Sequence, residues 1–355
     1  MEYNNRIMSK LSRRDFLKLS SLAMGGLAFS PFDLRPGSFD DSNLVRVTTN
    51  SVSVYSKPTD ESKIVSTWYR DELVHVYGEV VAEEPAHNPV WYRVWGGYMH
   101  RGRLQHVKFL YNQPDMSLIE GERKLVEVTV PYTQPWRNTK TYGWEPLNPR
   151  LYFDSVHWIE AVEEGPDGEP WYRIYDDLTG NYFVRAEHLR IIQLEELDPI
   201  RPEIPWEEKR IEVNLTTQVL TAYEYDKAVY QTNVSSGLYT GRRDPKEIST
   251  VTPVGEFNIR EKMPAKHMGN GNLFAGSDDY ELPGVSWTAF FTEVGHAFHG
   301  TYWHDNFGTP MSHGCVNMRT EEARWLFRWS YPTFDYSEGK IYRRGFGTPI
   351  KIFYG

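Results

Sequence analysis

Cys315 is the only cysteine among 355 residues, and it sits in the run Ser312-His313-Gly314-Cys315-Val316-Asn317. A chain with one thiol forms no internal disulfide, so this residue is not a structural staple. A neutral thiol is a modest nucleophile near pH 7, and an imidazole or a set of oriented amides beside it raises the thiolate fraction. Two histidines are within reach in sequence: His313, two positions earlier, and His299, which opens His299-Gly300-Thr301-Tyr302-Trp303. Adjacency alone does not decide which of them takes the proton. Gly314 lacks a side chain, so the backbone there can turn sharply and present amide N–H groups to a developing oxyanion. The pattern points to a nucleophilic role for the Cys315 thiol.

Two other chemistries use nearby residues. His296, His299, His304, Asp305, His313 and Cys315 could supply metal ligands, but neither an H-E-x-x-H motif nor a paired-cysteine spacing accompanies them. No metal and no cofactor are therefore expected, and His296 and His304 are read as structural. A penicillin-type serine enzyme would need Ser-x-x-Lys with S-D-N and K-T-G partners. Ser337 to Lys340 has the first spacing, but it holds Gly339 and lacks the other two motifs.

The elements that must position these residues read as β-structure. Ile211, Val213 and Leu215 alternate, and Val219 to Tyr223 follows a polar turn, which predicts a hairpin. Further strands are expected at 229–235, 255–260, 288–294 and 349–354, with one amphipathic helix from Thr320 to Trp329, capped by Thr320 and started by Glu321 and Glu322. The stretch from Glu261 to Trp287 holds Gly269, Gly271, Gly276 and Gly284; a loop of that length reads as a lid. Upstream, residues 193–205 carry Pro199, Pro202 and Pro205 and read as a semi-rigid linker.

Before the linker a repeat stands out. Trp91-Tyr92-Arg93-Val94 returns as Trp171-Tyr172-Arg173-Ile174, each followed by a turn and a β-rich end. The segments starting Leu73-Val74-His75 and Ser155-Val156-His157 also correspond, and the second copy reads as carrying an insertion around Trp136 to Asn148. With aromatics at 15% of the chain, large rings can fill the cores of such small modules. The chain's start has another character. Ser12-Arg13-Arg14-Asp15-Phe16-Leu17-Lys18 has the twin-arginine export pattern, and the apolar run from Leu19 to Phe29 is shorter than the ~20 residues a spanning helix needs. Residues 1–30 hold five Lys/Arg and two Asp/Glu, so without them the formal charge moves from -9 to -12. That acidic body excludes an electrostatic footprint for nucleic acid.

Several motifs together resemble one family. His299-Gly300, a spacer slightly shorter than usual, and Ser312-His313-Gly314-Cys315-x-Asn317 resemble the signature of L,D-transpeptidase (YkuD-type) catalytic domains. The opening hairpin at Ile211 to Tyr223, Val234-Ser235-Ser236-Gly237 and Thr252-Pro253-Val254-Gly255-Glu256-Phe257 fit that family in order. The two repeat copies resemble bacterial SH3-like domains. These resemblances imply a mostly β chain: an export signal at 1–30, SH3-like barrels at 45–110 and 124–192, the linker at 193–205, and a catalytic domain with one main helix at 206–355. They imply Cys315 as nucleophile, His299 as general base and acid oriented through Gly300, His313 and Gly314 at the oxyanion site, and Ser312, Asn317 and Trp303 against the substrate. The substrate would be peptidoglycan stem peptides, with wall polymers as candidate ligands of the SH3-like domains and a location in the periplasm or cell wall, the signal cleaved or retained as an anchor. An L,D-carboxypeptidase and a catalytically idle wall-binding protein are the competing readings.

Overall fold

In the strand Lys209–Asn214 every second residue (Lys209, Ile211, Val213) is buried, the period that a one-faced strand requires. This strand, β1, pairs antiparallel with β2 (Val219–Glu224), which pairs with β3 (Lys227–Asn233). On its other edge β1 runs parallel to the C-terminal strand Pro349–Phe353, whose far edge carries β4 (Gly255–Asn258). A second five-stranded sheet carries His299 and leads out of the Cys315 turn. It contains β5 (Glu261–Gly269), β6 (Glu281–Phe290), β7 (Ala297–Gly300) and β8 (Val316–Met318), with Ile341–Tyr342 at the edge beside β5. The computed structural model describes residues 43–118, 121–239, 250–269, 281–343 and 345–355; the export segment and the tip of the β5–β6 hairpin, with Gly271 and Gly276, lie outside these.

Helix α1 (Thr320–Trp329) packs against β6 and β7, burying Ala323, Leu326, Phe327 and Trp329. Its N-cap is Arg319, not Thr320 as expected; the Glu322 carboxylate accepts from the Arg319 amide at 3.4 Å and Nη1 at 3.2 Å. The helix's C-terminal carbonyls are met by two buried lysines. Lys209 Nζ donates to Trp329 O at 2.9 Å, and Lys262 Nζ donates to Phe327 O, to Ser330 O at 2.9 Å and to Pro332 O at 2.8 Å. Cations suit this end of a helix, where unpaired carbonyls collect.

The expected lid between Glu261 and Trp287 is largely a hairpin, β5 paired with β6. Residues 283–289 of β6 are buried on both faces, although Ser286 and Thr288 alternate with Val285, Trp287 and Ala289 in the way of a half-buried strand. Gly284, read as a loop glycine, is a packing point at φ +73°: a Cβ there would stand 2.2 Å from the His157 ring of the second N-terminal module. The expected strand 288–294 accordingly begins earlier and ends at Phe290.

The two N-terminal modules share one strand connectivity. In the first, Leu44–Val47 lies between Leu73–His75 and Leu104–Val107, and in the second Lys124–Val128 lies between Val156–Glu164 and Leu189–Ile191. Val90–Val94 and Pro170–Tyr175 occupy matching central places, and Trp91, Tyr92, Trp171 and Tyr172 are buried in them. The segment Trp136 to Asn148 is not an insertion. It forms the hairpin Trp136–Thr139 with Gly143–Pro146, which corresponds to Ser51–Tyr55 with Ile64–Tyr69 in the first module. Its half-exposed, mixed composition hid the correspondence. The mostly β class holds for the described residues, whose single α-helix is α1.

The proline segment lies along the helix: Ile200 N–H donates to Arg328 O at 3.1 Å and Arg324 Nη2 to Glu196 Oε2 at 2.8 Å. Residues 41–355 form one unit, and Leu125, Val156, Trp158 and Ile192 of the second module share the apolar core of the catalytic sheets. No helix among the described residues is long and apolar enough to cross a membrane.

Candidate active site

Strands β7 and β8 run parallel, with Phe298 opposite Val316 and His299 opposite Asn317. Phe298, Val316 and Met318 belong to the buried core. Because side chains alternate along a strand, His299 and Asn317 point to the other face. Continuing the register by one residue sets Cys315 beside Ala297 on that same face. The Cys315 thiol donates to Gly295 O at 3.7 Å, and the Ala297 amide bonds the sulfur.

His299 is buried at 2% exposure, and its Nδ1 lies 3.0 Å from Gly300 O. A carbonyl only accepts, so Nδ1 carries the hydrogen and Nε2 is left as the acceptor of the neutral ring. Burial drives the His299 pKa down to about 4, against the Gly300 bond, which favours the charged ring. Burial also pushes the Cys315 thiol up to about 11, with the Ala297 amide acting in the opposite sense. The resting pair is thus thiol and neutral imidazole near pH 7. The sequence-based expectation that an imidazole raises the resting thiolate fraction gives way to desolvation. Gly300 has a steric reason for its identity, since a Cβ would stand 2.4 Å from Ser286 Oγ and 3.1 Å from Thr320 Cα.

The turn before Cys315 is held at both of its flanking peptides. Gly314 has φ +115°, a conformation that glycine alone adopts without strain. Ser312 Oγ donates to Cys315 O at 2.5 Å and accepts from Gly314 N–H at 3.1 Å. The hydroxyl expected against the substrate is therefore engaged within the loop. Thr252, which carried no role in the sequence reading, accepts from Gly237 N–H at 2.8 Å and donates to Gly314 O at 2.9 Å. Its place in Thr252-Pro253-Val254-Gly255 was the available signal. Segment 234–238 supports the turn from the side: Ser235 exchanges backbone bonds with Asn317, and Leu238 N–H donates to Ser312 O at 2.8 Å.

The remaining candidates divide between the inside and the surface. His313 is exposed, whereas His299 is buried. Trp303 packs its ring on His299 at a centroid distance of 5.7 Å. Asn317 is 1% exposed, and its carboxamide bonds His304 Nε2 at 2.9 Å. His304, read as structural, is thus part of the shell around the site, held neutral by burial with a pKa near about 3. His296 anchors the preceding turn through Thr292 Oγ1 at 3.0 Å. Among the described residues no group of three or more His, Cys, Asp or Glu is placed to hold a metal ion.

With this geometry in view, the family model for the YkuD L,D-transpeptidase catalytic domain matches residues 208–352. Over less than half of its length, the chain is thus similar to L,D-transpeptidase catalytic domains. The Bacillus subtilis (strain 168) protein named "Putative L,D-transpeptidase YqjB" is 31% identical over 108 residues, 28% of this chain. The chain spans 58% of that relative's length. Among solved structures, the L,D-transpeptidase from Xylanimonas cellulosilytica is 25% identical, with 41% of this chain and 61% of that chain covered at a TM-score of 0.29. The catalytic domain of the E. faecium L,D-transpeptidase is 24% identical, covering 41% of this chain and 98% of its own, at a TM-score of 0.28.

Proposed function

We propose that the protein is a peptidoglycan L,D-transpeptidase acting through Cys315. The observation that carries the reading is the shared face of β7 and β8, where the Cys315 thiol and the free Nε2 of a tautomer-fixed His299 sit on adjacent strands. As Sγ attacks the carbonyl after the L-centre of a donor stem tetrapeptide, His299 Nε2 takes the thiol proton. The tetrahedral oxyanion is met by the Cys315 amide, presented by the Gly314 turn with His313 at its rim. Collapse breaks the C–N bond, His299 returns the proton to the departing D-alanine amine, and a thioester remains. An amine of a second stem peptide then attacks the thioester. His299 takes that proton, the new amide forms and the thiol is restored.

A buried, neutral imidazole suits this role because proton transfer accompanies attack and needs no standing ion pair. Trp303 would line the donor side, with the buried Asn317 behind it. Export through the twin-arginine segment at Ser12 to Lys18 is part of the proposal, placing the enzyme in the periplasm or wall, and the SH3-like resemblance makes wall polymers candidate ligands of the modules.

The test is mass spectrometry of purified disaccharide tetrapeptides incubated with the full chain. Cross-linked dimers formed with loss of one D-alanine are expected, and Cys315→Ala should abolish them with the fold intact. Tripeptide and free D-alanine without dimers would shift the assignment to an L,D-carboxypeptidase. Dimers persisting in Cys315→Ala would remove Cys315 from the chemistry.

A further inference from the structure

The loop from Thr301 to Phe307 joins β7 to the turn that carries Cys315, and it is gripped by the first N-terminal module. Arg46 of that module is 1% exposed, and its Nη2 donates to Tyr302 O at 3.0 Å and to Gln105 Oε1 at 2.8 Å. Its Nη1 donates to Asp71 Oδ1 at 3.0 Å, and its guanidinium lies 3.9 Å from the ring centroid of Tyr152 in the second module. Asn88, also 1% exposed, donates through Nδ2 to Asp305 O at 2.8 Å and to Asn306 Oδ1 at 3.1 Å. The Asp305 amide donates to Gly102 O at 3.1 Å, and Arg101 stands 3.6 Å from the Asp305 carboxylate. Each residue from 302 to 306 is therefore held by the first module or lies between residues that are.

The two residues inside that grip face the chemistry. Trp303 packs on the His299 ring and His304 bonds the Asn317 carboxamide. A buried side chain tied to a backbone carbonyl on one side and a packed ring on the other keeps its orientation only while the ring's own backbone is fixed. We infer that the first N-terminal module is a positioning element of the catalytic site, with Arg46 and Asn88 setting His299 through Trp303 and Asn317 through His304. This role is distinct from wall binding and from spacing. Neither residue touches the reacting atoms, and the inference rests on the transpeptidase reading only for what turnover means.

The test is a double-mutant cycle in the full-length chain, read by the rate at which a carbapenem acylates Cys315 and, independently of substrate class, by iodoacetamide alkylation of this single thiol. Arg46→Met and Asn88→Asp are each combined with His299→Ala. A displacement of about 1 Å at a catalytic group can cost on the order of 100-fold, so each single variant should acylate at least about 10-fold more slowly, with kcat reduced and KM little changed. In the His299→Ala background each should add much less than its full loss, because of the two residues they position only Asn317 is left. Folded variants that acylate at the wild-type rate would overturn the inference, as would losses that add in full to that of His299→Ala. Should Arg46→Met fail to fold, Asn88→Asp carries the test, since it removes two N–H donors with little change of shape. Failure of the transpeptidase reading would appear separately, as absent cross-linking alongside an intact cycle.

Discussion

Thr252→Val is the substitution whose consequence follows most directly from the geometry. Valine keeps the shape of threonine and removes one hydroxyl, which here is 1% exposed and makes two bonds, accepting from Gly237 N–H at 2.8 Å and donating to Gly314 O at 2.9 Å. Water does not replace either partner easily, because Gly237 is closed in by Thr250 O and by the Gly314 Cα, which lies 2.8 Å from where a Cβ would stand. Leaving a buried donor or acceptor unpaired costs about 1–3 kcal/mol each, so the variant should lose roughly 2–6 kcal/mol of unfolding free energy. The catalytic effect follows from peptide planarity. Gly314 O and the Cys315 N–H belong to one planar trans unit, so a carbonyl free to rotate takes the amide with it. Loss of an oxyanion donor costs about 100- to 1000-fold, and a donor that is misaligned but present should cost about 10- to 100-fold.

The assay is urea denaturation paired with the carbapenem acylation rate of Cys315. Thr252→Ser, which keeps the hydroxyl, should lie near wild type in both. If Thr252→Val loses the expected stability but acylates at the wild-type rate, the reasoning fails. The Cys315 peptide would then be oriented by Ser312 alone, through its bonds to Cys315 O and the Gly314 amide.

Three further outcomes rest on other parts of the molecule. Lys262→Met should destabilise by on the order of 3 kcal/mol in chemical denaturation, because it strips the shared donor from Phe327 O, Ser330 O and Pro332 O at the end of α1; an unchanged midpoint and slope would show that those carbonyls find other donors. The pH profile of acylation should fall on its acid side near pH 4 and not near 6.5, since His299 titrates at about 4. Stability should fall over a related window. His157 at about 3, His188 at about 4, His299 at about 4 and His304 at about 3 all lie below the ordinary value of about 6.5. Between those values the unfolded chain binds more protons than the folded one, so stability is full above about 6.5 and is lost as pH drops toward 4. Denaturation midpoints equal at pH 7 and pH 4.5 would contradict the burial of these rings in neutral form.

The parts of the site that were legible in the sequence are those defined by covalent neighbours. Cys315, Gly314 and His299 are local motifs, and the amphipathic helix announced itself through a 3.6-residue period ending at Trp329. What stayed hidden depended on burial from both sides. β6 is buried on both faces and Gly284 within it suggested a loop, although that glycine packs against His157 of the second module. His304 looked incidental because its partner, Asn317, is brought to it only by the parallel pairing of β7 and β8. Arg46 offered no signal at all: an arginine in Leu44–Val47 reads as the exposed position of an edge strand, yet it is buried and reaches a carbonyl 256 residues away.

That last case bears on how the proposed thiol site is held together. The cysteine turn is braced from within its own domain by Ser312, Thr252 and the 234–238 segment. His299 has no such brace on the side facing the loop: β7 ends at Gly300, and the chain leaves at once into the 301–307 segment. A carboxylate partner could have fixed the imidazole, but here Nδ1 is tied only to the adjacent carbonyl, Gly300 O, so ring orientation depends on what packs over it. Trp303 supplies that packing, and the backbone on either side of Trp303 is bonded to the first module through Tyr302 O and the Asp305 amide. The geometry of His299 is thereby shared between two parts of the chain that lie far apart in sequence, 256 residues for Arg46 and Tyr302. A catalytic domain cut free at the proline segment should keep its cysteine turn and lose the constraint on His299.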